Sequence, residues 1–264
     1  MYRFLRCWIQ HGAAGRLVVA LALAACWAAA AAQTPQSVRM SSLEWPPYTG
    51  AKLAHQGASV VVVREVLRQA GLALDVAFFP WSRAVDMARR DGQTLAYFPE
   101  YFDPANAEKF LYSDPIGSGP LVFAQRRGAA VLWKQYDDLA SVRIGVVRGY
   151  FNTPELDERI ARGQLQADEA PDDSHNLRKL AAGRIDLAVI DSNVFAYLAQ
   201  HDSAVAALAP GLEINAHVLE NKRLYVCFKN SAQGRALRDA FNQALKRVNV
   251  EALMRQHLAA SAAP

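Results

Sequence analysis

Cysteine is scarce: Cys7, Cys26 and Cys227 are the only three among 264 residues. That number leaves no room for a disulfide framework, and Cys227, inside the apolar run Leu224 to Phe228, reads as an inert core thiol. Histidine is scattered. His55, His175, His201, His217 and His257 lack the H-x-x-x-H or H-E-x-x-H spacing of a zinc site, so no metal is expected. The phosphate-cradling patterns G-x-x-x-x-G-K and G-x-G-x-x-G are absent, as is a Ser-His-Asp motif, and no cofactor is expected. No Ser/Gly tract, charge block or repeat array interrupts the chain, which excludes a disordered or solenoid protein.

A long apolar run is also missing. Residues 1–32 combine a basic start, an apolar core of roughly 8–15 residues, and small residues ending at Ala32. That is a secretory signal, too short for a confident membrane span. Leu23-Ala24-Ala25-Cys26 overlaps it as a lipobox, so two processing routes stay open: cleavage after Ala32, or lipidation of Cys26. Either way the expected location is the periplasm. The leader carries Arg3, Arg6 and Arg16 and no acid, so removing it leaves 26 basic against 25 acidic residues. The formal charge of +4 therefore gives no reason to expect a nucleic-acid partner.

What remains is organised around residues 78–119. Val76 to Phe79 are β-formers, Pro80 halts them, and Ser82 is placed to cap a helix striped with Ala84, Val85 and Ala88. Gly92 stands where a helix C-terminus is expected, and Leu95 to Phe98 reads as a buried strand. Tyr97, Glu100, Tyr101, Asp103, Asn106 and Ser113 gather beyond it, where open α/β sheets bind ligands. The same order, helix then Gly then strand, recurs from Leu177 through Gly183 to Asp191. Two such units predict two similar α/β lobes facing each other.

Around these units the chain alternates. Ser37 to Trp45 is an opening strand leading into Trp45-Pro46-Pro47-Tyr48; Ala58 to Gly71 is a helix, and Leu74 to Phe79 the next strand. Pro115 to Arg127 is extended and Val142 to Val147 a strand. The turn Arg148-Gly149-Tyr150 then opens toward Thr153-Pro154-Glu155, a helix start whose free N–H groups would attract an anion. Asp168 to Ser174 reads as loop, Glu213 to Val218 and Arg223 to Phe228 as two strands, and helices capped by Ser231 and starting at Val250 close the chain.

With these motifs in order, the chain resembles the family 3 solute-binding proteins of amino-acid-type ABC transporters. The resemblance rests on Trp45-Pro46-Pro47-Tyr48, Gly57, Pro80-Trp81-Ser82-Arg83, Tyr112-Ser113-Asp114-Pro115-Ile116, Ile144 to Gly149, and Gly183 to Asp191. It implies a type II periplasmic-binding-protein fold: lobe 1 at 33–125 with a return segment at 222–264, lobe 2 at 126–221, and ligand in the cleft between them. It further implies a monomer that delivers a small molecule to a membrane permease. Tyr48 matches the family's stacking aromatic, Asp191 the acid that pairs with a ligand ammonium, and Gly149-Tyr150 the turn whose N–H groups meet a carboxylate.

The family's carboxylate-clamping Arg has no counterpart in Ala105-Asn106-Ala107-Glu108-Lys109, and Lys109 is a point charge of different geometry. Trp81 and Arg83 are the alternative anchors, with Trp45 beside Tyr48, and Glu100 would favour a cationic ligand. Two other functions compete with uptake. One is a dehydratase-type enzyme on the same fold, drawing on Glu100, Asp191, Asp172 or Asp173 as acid. The other is a ligand-sensing accessory protein; no second membrane segment is expected to carry a built-in transmitter.

Overall fold

The computed structural model describes residues 35–261, so the leader and Cys26 lie outside the described residues. Strand β1 (Gln36–Ser42) leads into the helix α1 (Ala58–Gln69). Val60, Val62, Val63, Val66 and Leu67 of α1 are all buried, each contributing about 1.5–3 kcal/mol of hydrophobic stabilisation. Gly57 enters this helix at φ +101°, and a Cβ there would press on the Tyr48 carbonyl at 2.5 Å. Only glycine fits both constraints.

Strand β2 (Leu72–Phe78) and helix α2 (Trp81–Arg90) follow, then β3 (Thr94–Tyr101), whose alternate faces are both buried. Two local expectations fail in α2. Ser82 makes no capping bond, because Pro80 already occupies the N-cap position and Ser82 lies within the first turn. At the other end the helix stops at Arg90, one residue before Asp91 takes the Thr94 N–H and hydroxyl in an alternative local bond pattern. Gly92 therefore plays no capping part.

The short strand β4 (Phe110–Tyr112) and the long β5 (Gly117–Arg126) come next. Strand β6 (Arg143–Val147) is followed by α3 (Pro154–Ala161), β7 (Gln166–Ala170), α4 (Asp173–Ala181), β8 (Leu187–Asp191) and α5 (Ser192–His201). β7 falls partly on residues read as loop from sequence; four of its five residues are exposed, so it carries no hydrophobic alternation to betray it. The chain ends in β9 (Leu212–Lys229), α6 (Ala232–Leu245) and α7 (Val250–Ser261).

The expected pair of late strands is one continuous strand of 18 residues. Its polar middle, Glu220-Asn221-Lys222, reads as a break, yet it is laddered to Leu121, Pro120 and Gly119 of β5. Pairing across the molecule overrides local polarity here.

The strands run in the order β2-β1-β3-β9-β5-β8-β6-β7, with β4 also on β9. β1 and β3 are parallel, as are β6 with β7 and β6 with β8, while β9 and β5 run antiparallel to their neighbours. β3 thus anchors one α/β lobe and β8 the other, and β5 and β9 pass between them. In each lobe the parallel strands carry their C-terminal ends toward the other lobe, which is where Tyr48, Glu100, Gly149 and Asp191 stand. No helix among the described residues is long and apolar enough to cross a membrane.

Candidate functional site

Asp191 ends β8 and caps α5, accepting the N–H groups of Asn193 at 2.8 Å and Val194 at 3.3 Å. Tyr48, from the turn after β1, reaches across and donates to the same carboxylate, its hydroxyl 3.1 Å from each oxygen. The Asn193 side-chain amide donates back to that hydroxyl at 2.7 Å. Both residues are buried. Gly119 of β5 makes this approach possible: a Cβ there would overlap both the Asp191 carboxylate and the Tyr48 hydroxyl. Burial pushes the Asp191 carboxyl up to about 7, against the opposing pull of its hydrogen bonds. Asp173, at the start of α4, is likewise held at about 7 by burial and by the neighbouring Asp191 and Asp172 charges.

A second link joins the lobes at Trp81, whose indole N–H donates to the Gly149 carbonyl at 2.9 Å. Gly149 takes φ +77° to present that carbonyl. Trp81 also meets Tyr150 edge-on at 6.0 Å and Tyr97 at 5.5 Å.

Between these two links lies a narrow aromatic cleft, a cavity of about 30 Å³ within about 300 Å³ of space that includes its open mouth. Trp45, Trp81, Tyr101, Tyr150 and Phe151 line it together with Glu100. Trp45 stacks on Tyr48 at 4.5 Å, so Tyr48 stands behind the wall and Trp45 forms its face. Burial raises Glu100 to about 8 despite hydrogen bonds from the Tyr97 hydroxyl and the Tyr101 N–H.

Of the residues singled out by sequence, Trp45, Trp81, Glu100 and Tyr150 converge on the cleft. Tyr48, Gly149 and Asp191 hold the lobes together at its margins. Arg83 does not line this cleft: it is exposed, lies over the Phe79 ring at 5.0 Å, and borders an outer groove that Trp81, Asn106, Lys109 and Gly149 also line. Three N–H groups around the expected anion site at the start of α3 have internal partners. The Tyr150 N–H donates to Val147, Asn152 N–H to Asp157, and Leu156 N–H to the Thr153 hydroxyl. Asn106 serves a structural cluster, donating to the Tyr97 and Tyr112 hydroxyls.

Sequence reasoning missed Phe151 and Lys222. Lys222 is 3% exposed, with its ammonium 5.2 Å from the Tyr101 ring centre, 4.9 Å from that of Phe151, and 3.3 Å from Glu220. Its place in the polar stretch between the two expected strands hid it. Phe151 carried a usable signal, its position beside Tyr150 at a strand's exit.

No family model matches the chain, and no curated protein matches it in sequence. Solved structures do match. A histidine kinase sensor domain with similarity to periplasmic binding proteins superposes with a TM-score of 0.71 at 16% identity, covering 86% of this chain and 97% of that one. The second Venus flytrap domain of BvgS from Bordetella pertussis gives 0.68 at 18%, covering 90% and 97%. An ancestral arginine-binding protein bound to arginine gives 0.68 at 15%, covering 85% and 97%. At these identities the likeness shows the fold alone. The chain has the α/β architecture of the type II periplasmic binding proteins, two lobes with a cleft between them.

Proposed function

We propose that the protein is an exported, non-enzymatic solute-binding protein that captures a small polar metabolite, amino-acid-like or cationic, for ABC-type uptake through a membrane permease. The observation that carries this reading is the convergence of strand-end residues from both lobes on one aromatic cleft, latched by Tyr48 on Asp191 and Trp81 on Gly149. Contacts made only when the lobes meet let a ligand shift an open–closed equilibrium. The arginine-bound neighbour supports a small-solute ligand.

We assign lobe 1 to 33–125 and 222–264 and lobe 2 to 126–221, with the protein acting as a monomer in the periplasm, released after Ala32 or anchored through Cys26. β5 stays paired with β9 from Gly117 to Arg126 and takes β8 on its other edge from Leu121 to Gln125; the register shifts against β9 between Leu121 and Ala124 support hinges in the two passing strands. Trp45, Tyr48, Trp81, Glu100, Gly149, Tyr150 and Asp191 are the binding residues in this reading. The sensor-domain neighbour favours a second one, in which the same capture reports the solute to a signalling partner.

The test is a thermal-shift screen of the mature protein against amino acids, amines and small organic acids. A true ligand at about 100 times its Kd stabilises by roughly 2.7 kcal/mol, a melting shift of about 5–11 °C for a chain of this size. A screen in which nothing binds with a Kd below about 1 mM removes the solute-binding reading. Deleting the gene of an adjacent permease and losing uptake separates transport from sensing.

A further inference from the structure

We propose that the cleft takes an organic cation with an apolar body, such as an arylalkyl amine, with Glu100 as counter-ion and aromatic rings as walls. This inference rests on the solute-binding reading of the same cleft and narrows it to one ligand chemistry.

Four observations converge on it. Glu100 is the only carboxylate among the lining residues, and no Arg, Lys or His lines the cleft with it. Five rings, Trp45, Trp81, Tyr101, Tyr150 and Phe151, make up most of the remaining wall. Their π faces attract a cation and their area shelters an apolar body. The Tyr101 hydroxyl, on a side chain 7% exposed, has no hydrogen-bond partner. A ligand N–H would satisfy that oxygen, which otherwise carries a desolvation cost.

A ligand carboxylate meets the opposite situation. Near the start of α3 the N–H groups of Tyr150, Asn152 and Leu156 are spent on Val147, Asp157 and Thr153. Arg83 and Lys109 line the outer groove, which Trp81 and Gly149 also border, and neither lines the aromatic cleft. Lys222 is the nearest buried cation, and it is occupied by Glu220 and by the Tyr101 and Phe151 rings. A desolvated carboxylate without a partner is costly, so an α-amino acid is disfavoured against the corresponding amine.

Glu100 also couples binding to protons. The groups facing it are Tyr97 on its own strand, Asp103 beyond that strand, Lys222 and Cys227 on β9, Tyr112 on β4, and Tyr150 in the turn after β6. Asp103 raises its pKa and Lys222 lowers it, with burial the dominant cause of its value of about 8. Below that pH the carboxyl is protonated, and an arriving cation must displace the proton. An alkylammonium, with a pKa of about 10.4 as in lysine, stays charged throughout.

The experiment compares phenethylamine and choline with phenylacetate and L-phenylalanine by thermal shift and calorimetry on the mature protein. The expected result is stabilisation by an amine and none by the two carboxylates. Amine affinity rises by roughly tenfold per pH unit from 6 toward 8, with proton release, then levels off. Glu100→Gln weakens amine binding at pH 8 by roughly 10- to 150-fold and flattens the pH profile. Should that variant fail to fold, the wild-type comparison still decides, and Tyr101→Phe supplies a second, several-fold loss. Phenylacetate or L-phenylalanine binding as well as the amines, or amine affinity indifferent to Glu100→Gln, overturns this inference and leaves the solute-binding reading standing. Absence of binding by any of the four and by the wider metabolite screen removes both.

Discussion

Asp191 illustrates how one side chain serves stability and function in opposite directions. Its carboxylate caps α5 and accepts from Tyr48, yet burial holds its pKa near 7. Asparagine caps helices as well as aspartate does and carries no charge to desolvate. Asp191→Asn is therefore expected to melt at or above the wild-type temperature at pH 8, followed by circular dichroism. In the proposed function it also weakens ligand binding by roughly 10- to 150-fold, measured by calorimetry. A lower melting temperature at pH 8 would contradict the desolvation account. Gly119 is the complementary case. Its missing side chain is the space that Asp191 and Tyr48 occupy, so Gly119→Ala should cost about 1–3 kcal/mol in urea unfolding. A neutral result would mean that β5 yields easily at this point.

The elements show the same economy at their ends. Thr153 caps α3 through the Leu156 N–H and exchanges a hydrogen bond with the Tyr136 hydroxyl at 3.0 Å. Thr153→Ala should lose about 0.5–2 kcal/mol by chemical denaturation, while Thr153→Ser loses distinctly less. Equal losses in the two variants would point to the methyl group instead of the cap. Ser231 and Asp172 cap their helices in the same way, through Gly234 and His175. These caps were visible in advance for Thr153 and Ser231, because cap residue and apolar stripe sit within a few positions of each other. Ser82 misled because Pro80 opens the helix without any side-chain bond.

At the scale of the whole molecule the buried acids set the response to pH. Glu100, Asp173 and Asp191 have folded-state pKa values of about 8, 7 and 7, all above the ordinary carboxylate range near 4. The folded state then binds more protons than the unfolded chain between about pH 4 and 8, so stability falls as pH rises through that window. The contribution is complete below about pH 4 and lost above about pH 8. Asp186 works the other way: its bonds from Arg143 and Arg126 hold it at about 2, and its contribution is lost only in stronger acid. Melting temperatures across pH 5 to 8.5 should decline, by about 2–4 °C for each kcal/mol lost. A flat or rising profile would show that these carboxyls remain hydrated.

The amino-acid sequence by itself determined the type of each lobe. The helix–Gly–strand units at 84–98 and 177–191, and the buried face of α1, follow from local periodicity that packing then reinforces. It also marked Trp45, Glu100 and Tyr150 at strand ends and Trp81 at a helix start, since position along an element is readable from one stretch of chain. Only the tertiary structure decided which of them meet. Tyr48 and Asp191 are joined by a hydrogen bond spanning 143 positions, and no local pattern encodes a contact of that separation. The same holds for the continuity of β9, whose polar centre is stabilised by a strand about 100 residues away. Lys222 comes against the Tyr101 and Phe151 rings for that reason, while Arg83 lines the outer groove with Trp81 and Gly149.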